Sequence, residues 1–261
     1  MSTHAELRIQ NTTAYITLRD EVERHPCTLD WTVLRELGDC LEQIAASQEA
    51  VKVVVLESAS PKSFVVGANI AVLEELTPES IMDWVRLGHD VFNRFARLPA
   101  FTIAKVKYMA LGGGLELAMA CDTIIASDEA KLGQPEATLG VMPGWGGSYR
   151  LAQLVGPNRA KEMFATGEHL SAREAYEWGL VSHVVPAGEI DGYVDEMAAR
   201  IAGNDSRVIA YLKRFINDTF YRGLTHNAEF EALSSSICLN SPETKARLSD
   251  FFAKRKKKPF F

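Results

Sequence analysis

Ala110-Leu111-Gly112-Gly113-Gly114-Leu115-Glu116-Leu117-Ala118-Met119-Ala120 is the segment from which the rest of this chain can be read. Three consecutive glycines open into a run of good helix formers. A helix start leaves backbone N–H groups unpaired at the positive end of the helix dipole. Glycines just before it let a ligand approach that backbone, because no Cβ stands in the way. Two functional uses fit: binding a phosphate, or holding an oxyanion that forms during a reaction. A third use is structural, the close packing of a helix on a strand. The phosphate-loop pattern G-x-x-x-x-G-K-[ST] and the dinucleotide fingerprint G-x-G-x-x-G are both missing.

Upstream, Leu7–Gln10 and Ala14–Leu18 read as two short paired strands. Asp30 is a helix N-cap, followed at helical spacing by Leu34, Leu37, Leu41 and Ile44. Val51–Leu56 is a β-branched run, the pattern of a strand buried on both faces, and Phe101–Val106 reads as another buried strand. Between them, Ser63–Asn69 breaks at Gly67, and a helix runs from Pro78 to about Leu98, closed by Pro99. Downstream, Thr123–Ala126 and Lys131–Leu132 are strands, and Leu139–Gly147 is a Gly- and Pro-rich loop. From Ser148 the chain is mostly helical, apart from a strand at Leu180–Val185; Ser206–Tyr221, Thr225–Leu239 and Pro242–Lys254 carry helical spacing. Strand-plus-helix units recur every 45–50 residues or so, which points to a repeated supersecondary unit. The expectation is an α/β fold: a core over residues 1–200 and a helical region over 201–261.

Composition narrows the function. The 261 residues are 47% hydrophobic and 24% charged, which excludes fibrous, disordered and disulfide-framework classes. A chain this long buries roughly three quarters of its unfolded surface and needs no metal or disulfide staple. Lys and Arg number 28 against 34 Asp and Glu, a net charge of −6, so neither nucleic acid nor an anionic membrane is an expected partner. Eight of the 18 glycines fall between Gly112 and Gly147, so that stretch has a particular need for bare backbone. Cys27, Cys40, Cys121 and Cys238 form no C-x-x-C pair and read as reduced thiols. Met1–Glu6 lacks a signal pattern and no apolar run reaches membrane-spanning length, so the expected location is cytoplasmic. The basic Lys254–Lys258 run suits a helix C-terminus.

Two carboxylates stand out. Glu116 lies on the first turn after the glycines, where a negative charge also complements the helix dipole. Glu136 lies in Gly133-Gln134-Pro135-Glu136, where Pro135 fixes the approach of the chain. A short helix, a turn and a hairpin separate the two, so the chain can bring Glu136 back to the glycine-rich helix start. Two carboxylates beside backbone donors form an acid/base pair next to an oxyanion hole. The signatures H-E-x-x-H, G-x-S-x-G and S-x-x-K are absent, and the six histidines show no metal-ligand pairing.

These residues carry a resemblance. Ala110–Ala118, Cys121-Asp122, Gly133–Glu136, Gly140 and Pro143–Gly147 resemble the enoyl-CoA hydratase/isomerase (crotonase) signature, and the likeness continues through Thr166-Gly167, Ala172–Ala175, Gly179–Val181 and Phe251–Pro259. It implies a crotonase-like spiral of ββα units with C-terminal helices that trimerise, and trimers that pair into hexamers. It implies an acyl-CoA substrate and a setting in fatty-acid metabolism, with no metal and no cofactor beyond the coenzyme A of the substrate. Ala68 and Gly113 match the two backbone N–H donors to the thioester oxygen; Glu116 and Glu136 match the catalytic carboxylates of hydratases. Phe251 and Lys254 match positions reaching the adenine-phosphate end of CoA. Val66, Asn69, Ile70, Leu139 and Trp145 complete the expected substrate contacts, with Met82, Trp84 and Met142 as further pocket candidates. The implied reaction is hydration of a 2-enoyl-CoA; double-bond isomerisation and C–C hydrolysis are the alternatives on the same fold. Three positions depart from the usual pattern: Lys107-Tyr108 where Asn-Gly is common, Arg24–Leu29 in place of an Asn-Arg-Pro segment, and Asn69 where Asp is common. The Gly140–Gly147 stretch is expected to shape the loop beside Glu136.

Overall fold

The computed structural model describes residues 4–20, 22, 25–47, 51–220 and 224–257. Met1, Arg24, Tyr221 and Lys258 lie outside them. The chain opens with β1 (Ala5–Gln10) and β2 (Thr13–Leu18), an antiparallel pair. The helix α1 (Trp31–Ala46) follows, capped by Asp30, whose carboxylate accepts from the N–H groups of Thr32 and Val33.

A repeated unit then begins. Its first strand is long: β3 (Val53–Ser58), then β5 (Phe101–Val106), then β7 (Thr123–Ser127). Each is followed by a strand of three residues in a second sheet: β4 (Ser63–Val65), β6 (Met109–Leu111) and β8 (Lys131–Gly133). Helices close the turns. After β4 come α2 (Ile70–Glu75) and α3 (Ser80–Arg97); after β6 comes α4 (Gly113–Met119). After β8 come a 3₁₀ turn (Glu136–Leu139), α5 (Gly147–Val155) and α6 (Pro157–Thr166). The short β9 (His169–Ser171), α7 (Ala172–Glu177) and β10 (His183–Val185) end the spiral. The first sheet has the order β1-β2-β3-β5-β7-β10, the second β4-β6-β8-β9.

The β-branched stretch of the long strands is explained by their two buried faces. Val54 and Leu56 of β3 face the main core between the sheets. Val53 and Val55 face the opposite way, with Ile103 and Ile125, onto Ile190, Val194 and Met197 of α8 (Ile190–Ala202). Alternation at period two sends successive side chains into two different cores.

Three helices close the chain: α9 (Ser206–Phe220), α10 (Leu224–Leu239) and α11 (Pro242–Lys257). The buried Lys213 anchors α9, its ammonium 2.7 Å from Asp122 and 3.0 Å from the Ala100 carbonyl. Asp122, part of the Cys121-Asp122 motif, also accepts from Thr102 N at 2.8 Å. The outer side of α9 leaves Val208, Tyr211 and Leu212 more than half exposed. No helix among the described residues is long and apolar enough to cross a membrane.

The structure adds what periodicity does not reveal. β4, β6 and β9 have three residues each, too few to show a period, and the expected strand at Leu180–Val185 narrows to His183–Val185. Leu180 and Val181 are buried without being in a strand.

Candidate active site

Three adjacent parallel strands of the second sheet end at one place. Val65 of β4 pairs with Ala110 of β6, and Leu111 of β6 pairs with Gly133 of β8. Beyond their carboxyl ends lie Val66-Gly67-Ala68, Gly112-Gly113 and Gln134-Pro135-Glu136. Loops leaving the carboxyl ends of parallel strands are the usual place for a site in α/β sheets. Together with α3, Met142, Trp145 and Ser235 they enclose a cavity of about 100 Å³.

The glycine triplet divides its labour. Gly112 has φ +53°, and a Cβ there would stand 3.2 Å from Oε1 of Glu136. A Cβ on Gly113 would meet the Trp145 ring at 2.5 Å, with Ala68 N only 3.6 Å away. A Cβ on Gly114 would overlap the Val65 carbonyl oxygen at 2.0 Å. The structural use of the triplet, close packing of helix on strand, is realised at Gly114. Neither Ala68 N nor Gly113 N donates a backbone hydrogen bond among those described, whereas their neighbours Asn69 N and Gly112 N pair with Leu29 O and Gly133 O. Two N–H groups are left beside the cavity, one at the start of α4 and one in the loop after β4.

Glu116 is 2% exposed. Its Oε1 accepts from Trp145 N at 2.8 Å and Gly147 N at 2.7 Å. Burial holds its pKa well above the ordinary carboxylate range, and the nearby Glu136 and Glu231 push the same way; the two N–H donors oppose this. Glu136 keeps part of its surface exposed, but its carboxyl turns inward toward Gly112. Gln134, fully buried, sets its side-chain amide 2.7 and 3.0 Å from Glu136 Oε1 and Oε2. Burial pushes Glu136 up to about 8, with the Glu231 charge adding to the rise. Two carboxyls sharing one dry site do not both ionise readily. The two N–H donors on Oε1 favour the charged form of Glu116 and oppose the effect of its burial.

Of the other expected contacts, Val66, Ile70, Leu139 and Trp145 line the cavity, and so do Trp84 and Met142. Met82 does not. The indole Nε1 of Trp145 donates to Trp84 O at 3.3 Å, and the ring packs tilted against Trp84 and edge-on against Phe92, with Trp31 edge-on to Trp84 beyond. Asn69 caps α2 by accepting from Ala71 N at 3.1 Å. Phe251 packs edge-on against Phe252 on α11, away from the cavity lining. Lys254 is on the same helix, its side chain outside the described residues. Lys107 and Lys105 both pair with Asp191 of α8, so Lys107 belongs to a charged cluster on the outer face of the first sheet. Gly140, at φ +76°, caps the Glu136–Leu139 turn, as expected of the loop beside Glu136, and the far end of the same stretch reaches a second carboxylate, its N–H groups at 145 and 147 binding Glu116. Sequence reading missed Gln134, Glu231 and Ser235. Gln134 lies inside the quoted motif, while Glu231 and Ser235 arrive from α10 with no local signal.

Known proteins share the sequence pattern and the fold. A profile described as enoyl-CoA hydratase/isomerase matches residues 8–260. A crotonyl-CoA hydratase from Syntrophomonas wolfei is 35% identical over 228 residues, 87% of this chain and 87% of that one. A short-chain-enoyl-CoA hydratase from Clostridium acetobutylicum is 36% identical over the same coverage of each. The crystal structure of an enoyl-CoA hydratase from Mycobacterium avium subsp. paratuberculosis superposes with a TM-score of 0.86 at 27% identity, covering 96% of each chain. That of a Bacillus anthracis enoyl-CoA hydratase gives 0.78 at 33% identity, covering 97% of this chain and 96% of the other. With a profile match over nearly its whole length, the chain belongs to the enoyl-CoA hydratase/isomerase family.

Proposed function

We propose that this protein is an enoyl-CoA hydratase that adds water reversibly across the 2,3 double bond of a short-chain 2-enoyl-CoA, within acyl-CoA (fatty-acid) metabolism. The observation that carries the reading is the pairing of two buried carboxyls, Glu116 and Glu136, beside the two undonated N–H groups of Ala68 and Gly113.

The groups divide the reaction as follows. Glu116 in its ionised form, held by two N–H groups on Oε1, takes a proton from water as the water oxygen bonds to C3. The π electrons of the double bond move onto the thioester, whose oxygen gains enolate charge. Ala68 N and Gly113 N hold that oxygen; losing one such donor typically costs about 2.7–4 kcal/mol. Glu136, still protonated at neutral pH, delivers its proton to C2. The hydroxyl at C3 comes from water and the C2 hydrogen from Glu136; the proton left on Glu116 passes back to Glu136 by way of solvent before the next turnover, so over the whole cycle one water is added and atoms balance. The cavity of about 100 Å³ supports a short acyl chain. Val66, Ile70, Leu139 and Trp145 would flank that chain, with Asn69 shaping the loop behind Ala68 and Phe251 and Lys254 reaching the adenine-phosphate end of CoA. The exposed apolar side of α9, Val208, Tyr211 and Leu212, supports a homotrimer, and from it a hexamer.

The test is a panel of short, long, branched and aromatic enoyl-CoAs, followed by loss of conjugated-thioester absorbance. Short chains are expected to give the highest kcat/KM, with the 3-hydroxyacyl-CoA as product. A shifted double bond or a cleaved carbon chain as the product would instead establish an isomerase or a C–C hydrolase.

A further inference from the structure

The site holds a third buried carboxylate that the proposed hydration does not use. Glu231, on α10, has no exposed surface. Its Oε2 accepts from Gly146 N at 3.0 Å and lies 2.9 Å from His89 Nε2 of α3; its Oε1 takes the Ser148 hydroxyl. Consecutive peptides of one loop thus face opposite ways. The N–H groups of Trp145 and Gly147 point at Glu116, and the N–H between them points at Glu231.

The alternation has a backbone cause. Gly146 has φ +107°, in the left-handed region that side-chain-bearing residues rarely adopt. A Cβ there would also stand 2.8 Å from both Arg150 Nε and the Tyr149 hydroxyl oxygen. The loop is therefore clamped between two carboxylates at a residue where only glycine fits. A buried carboxylate is costly unless it is fully paired, and Glu231 is paired on both oxygens.

We propose that Glu231 is a positioning residue for Glu116: by holding the Gly146 peptide, it sets the Trp145 and Gly147 N–H groups on the catalytic carboxylate. His89 and Ser148 fix Glu231 in turn. The C-terminal helical region thereby forms part of the active site, with no contact to the reacting atoms. This inference rests on the reading of Glu116 as the group that activates water.

The experiment measures kcat, KM and the pH profile of crotonyl-CoA hydration for the wild type, Glu116→Gln, Glu231→Gln, Glu231→Ala and Ser148→Ala. The charged and titratable groups around Glu231 are His89 in contact with it, Glu116 and Glu136 across the site, and Tyr149 and Arg150 beside the Gly146 that it holds. In Glu231→Ala the Gly146 peptide loses its acceptor, and kcat is expected to fall about 10²-fold with KM within about three-fold. Glu231→Gln keeps an amide oxygen for Gly146 N and an amide nitrogen for Ser148. It should retain kcat within about ten-fold of the wild type. It should also move the basic limb of the profile to lower pH, because the Glu231 charge helps raise both Glu116 and Glu136. A role confined to docking α10 on α3 would lower thermal stability and leave kcat, KM and the profile of the folded fraction unchanged, which would overturn the proposal. So would equal damage from Gln and Ala. If Glu231→Ala does not fold, Ser148→Ala decides: a several-fold loss in kcat supports the proposal, and wild-type kcat overturns it. An inactive wild type overturns the hydratase reading and this inference together. An active wild type with a dead Glu116→Gln and an unimpaired Glu231→Ala overturns this inference alone.

Discussion

The ring of Trp145 occupies the space that a side chain at Gly113 would need: its Cζ3 lies 2.5 Å from the position of a Cβ there. The same glycine offers an undonated N–H to the cavity. Trp145 in turn donates its own N–H to Glu116. One missing methyl group therefore keeps a donor and a carboxylate in place together. Gly113→Ala is expected to destabilise the fold by about 1–3 kcal/mol through overpacking. It should also lower turnover by about 10²-fold or more, since Trp145 must move. Thermal unfolding and crotonyl-CoA hydration measure the two effects separately.

Its neighbour behaves differently. A Cβ on Gly114 would stand 2.0 Å from the Val65 carbonyl oxygen, which is backbone of β4 and cannot rotate away. Gly114→Ala is expected to yield little folded protein, read as lost cooperative unfolding. Gly192, inside α8 with open space around its Cβ position, is the contrast. Gly192→Ala should stabilise the protein by about 0.5–1 kcal/mol, because the unfolded chain loses freedom it no longer has to give up on folding.

Much of this was legible in the sequence, for identifiable reasons. The triplet, Glu116 and Glu136 sit within one local motif, and Val51–Leu56 carries its two-sided burial in its composition. Asp30 announces α1 by its residue type. β4, β6 and β9 were not legible: three residues carry no period, and their pairing partners lie elsewhere in the chain. Glu231 was invisible because its partner His89 is 142 residues away and nothing around it marks it. The direction of the Gly140–Gly147 loop was also hidden, because which carboxylate an N–H faces depends on the φ angles of its glycines.

The pH dependence of the rate follows from Glu136. Burial holds its pKa at about 8, so it carries the proton needed for C2 at neutral pH. Above about pH 8 that proton is lost. The hydration rate is expected to fall on this basic limb, and a profile of kcat/KM against pH measures it. A rate that stayed flat from pH 7 to about 10 would show that no group with this titration delivers the proton.

Stability should change with pH in the same sense. The folded-state pKa of Glu136 is raised, so folding takes up a proton between the ordinary carboxylate range and about 8. Its contribution is most favourable at low pH and is lost as pH rises through about 8. Glu136→Gln removes this dependence. The variant is expected to be more stable than the wild type at pH 9, on the order of a few kcal/mol, with the gap closing toward pH 5. Thermal melts of both proteins across that range check it.

The central claim is that Glu116 and Glu136 act as a pair on an enoyl thioester. The most direct measurement is crotonyl-CoA hydration by the wild type, Glu116→Gln and Glu136→Gln, with circular dichroism confirming that each is folded. The wild type should consume the conjugated thioester, and each variant should lose about 10²–10⁴-fold in turnover. Wild-type-like turnover in either folded variant would contradict the account.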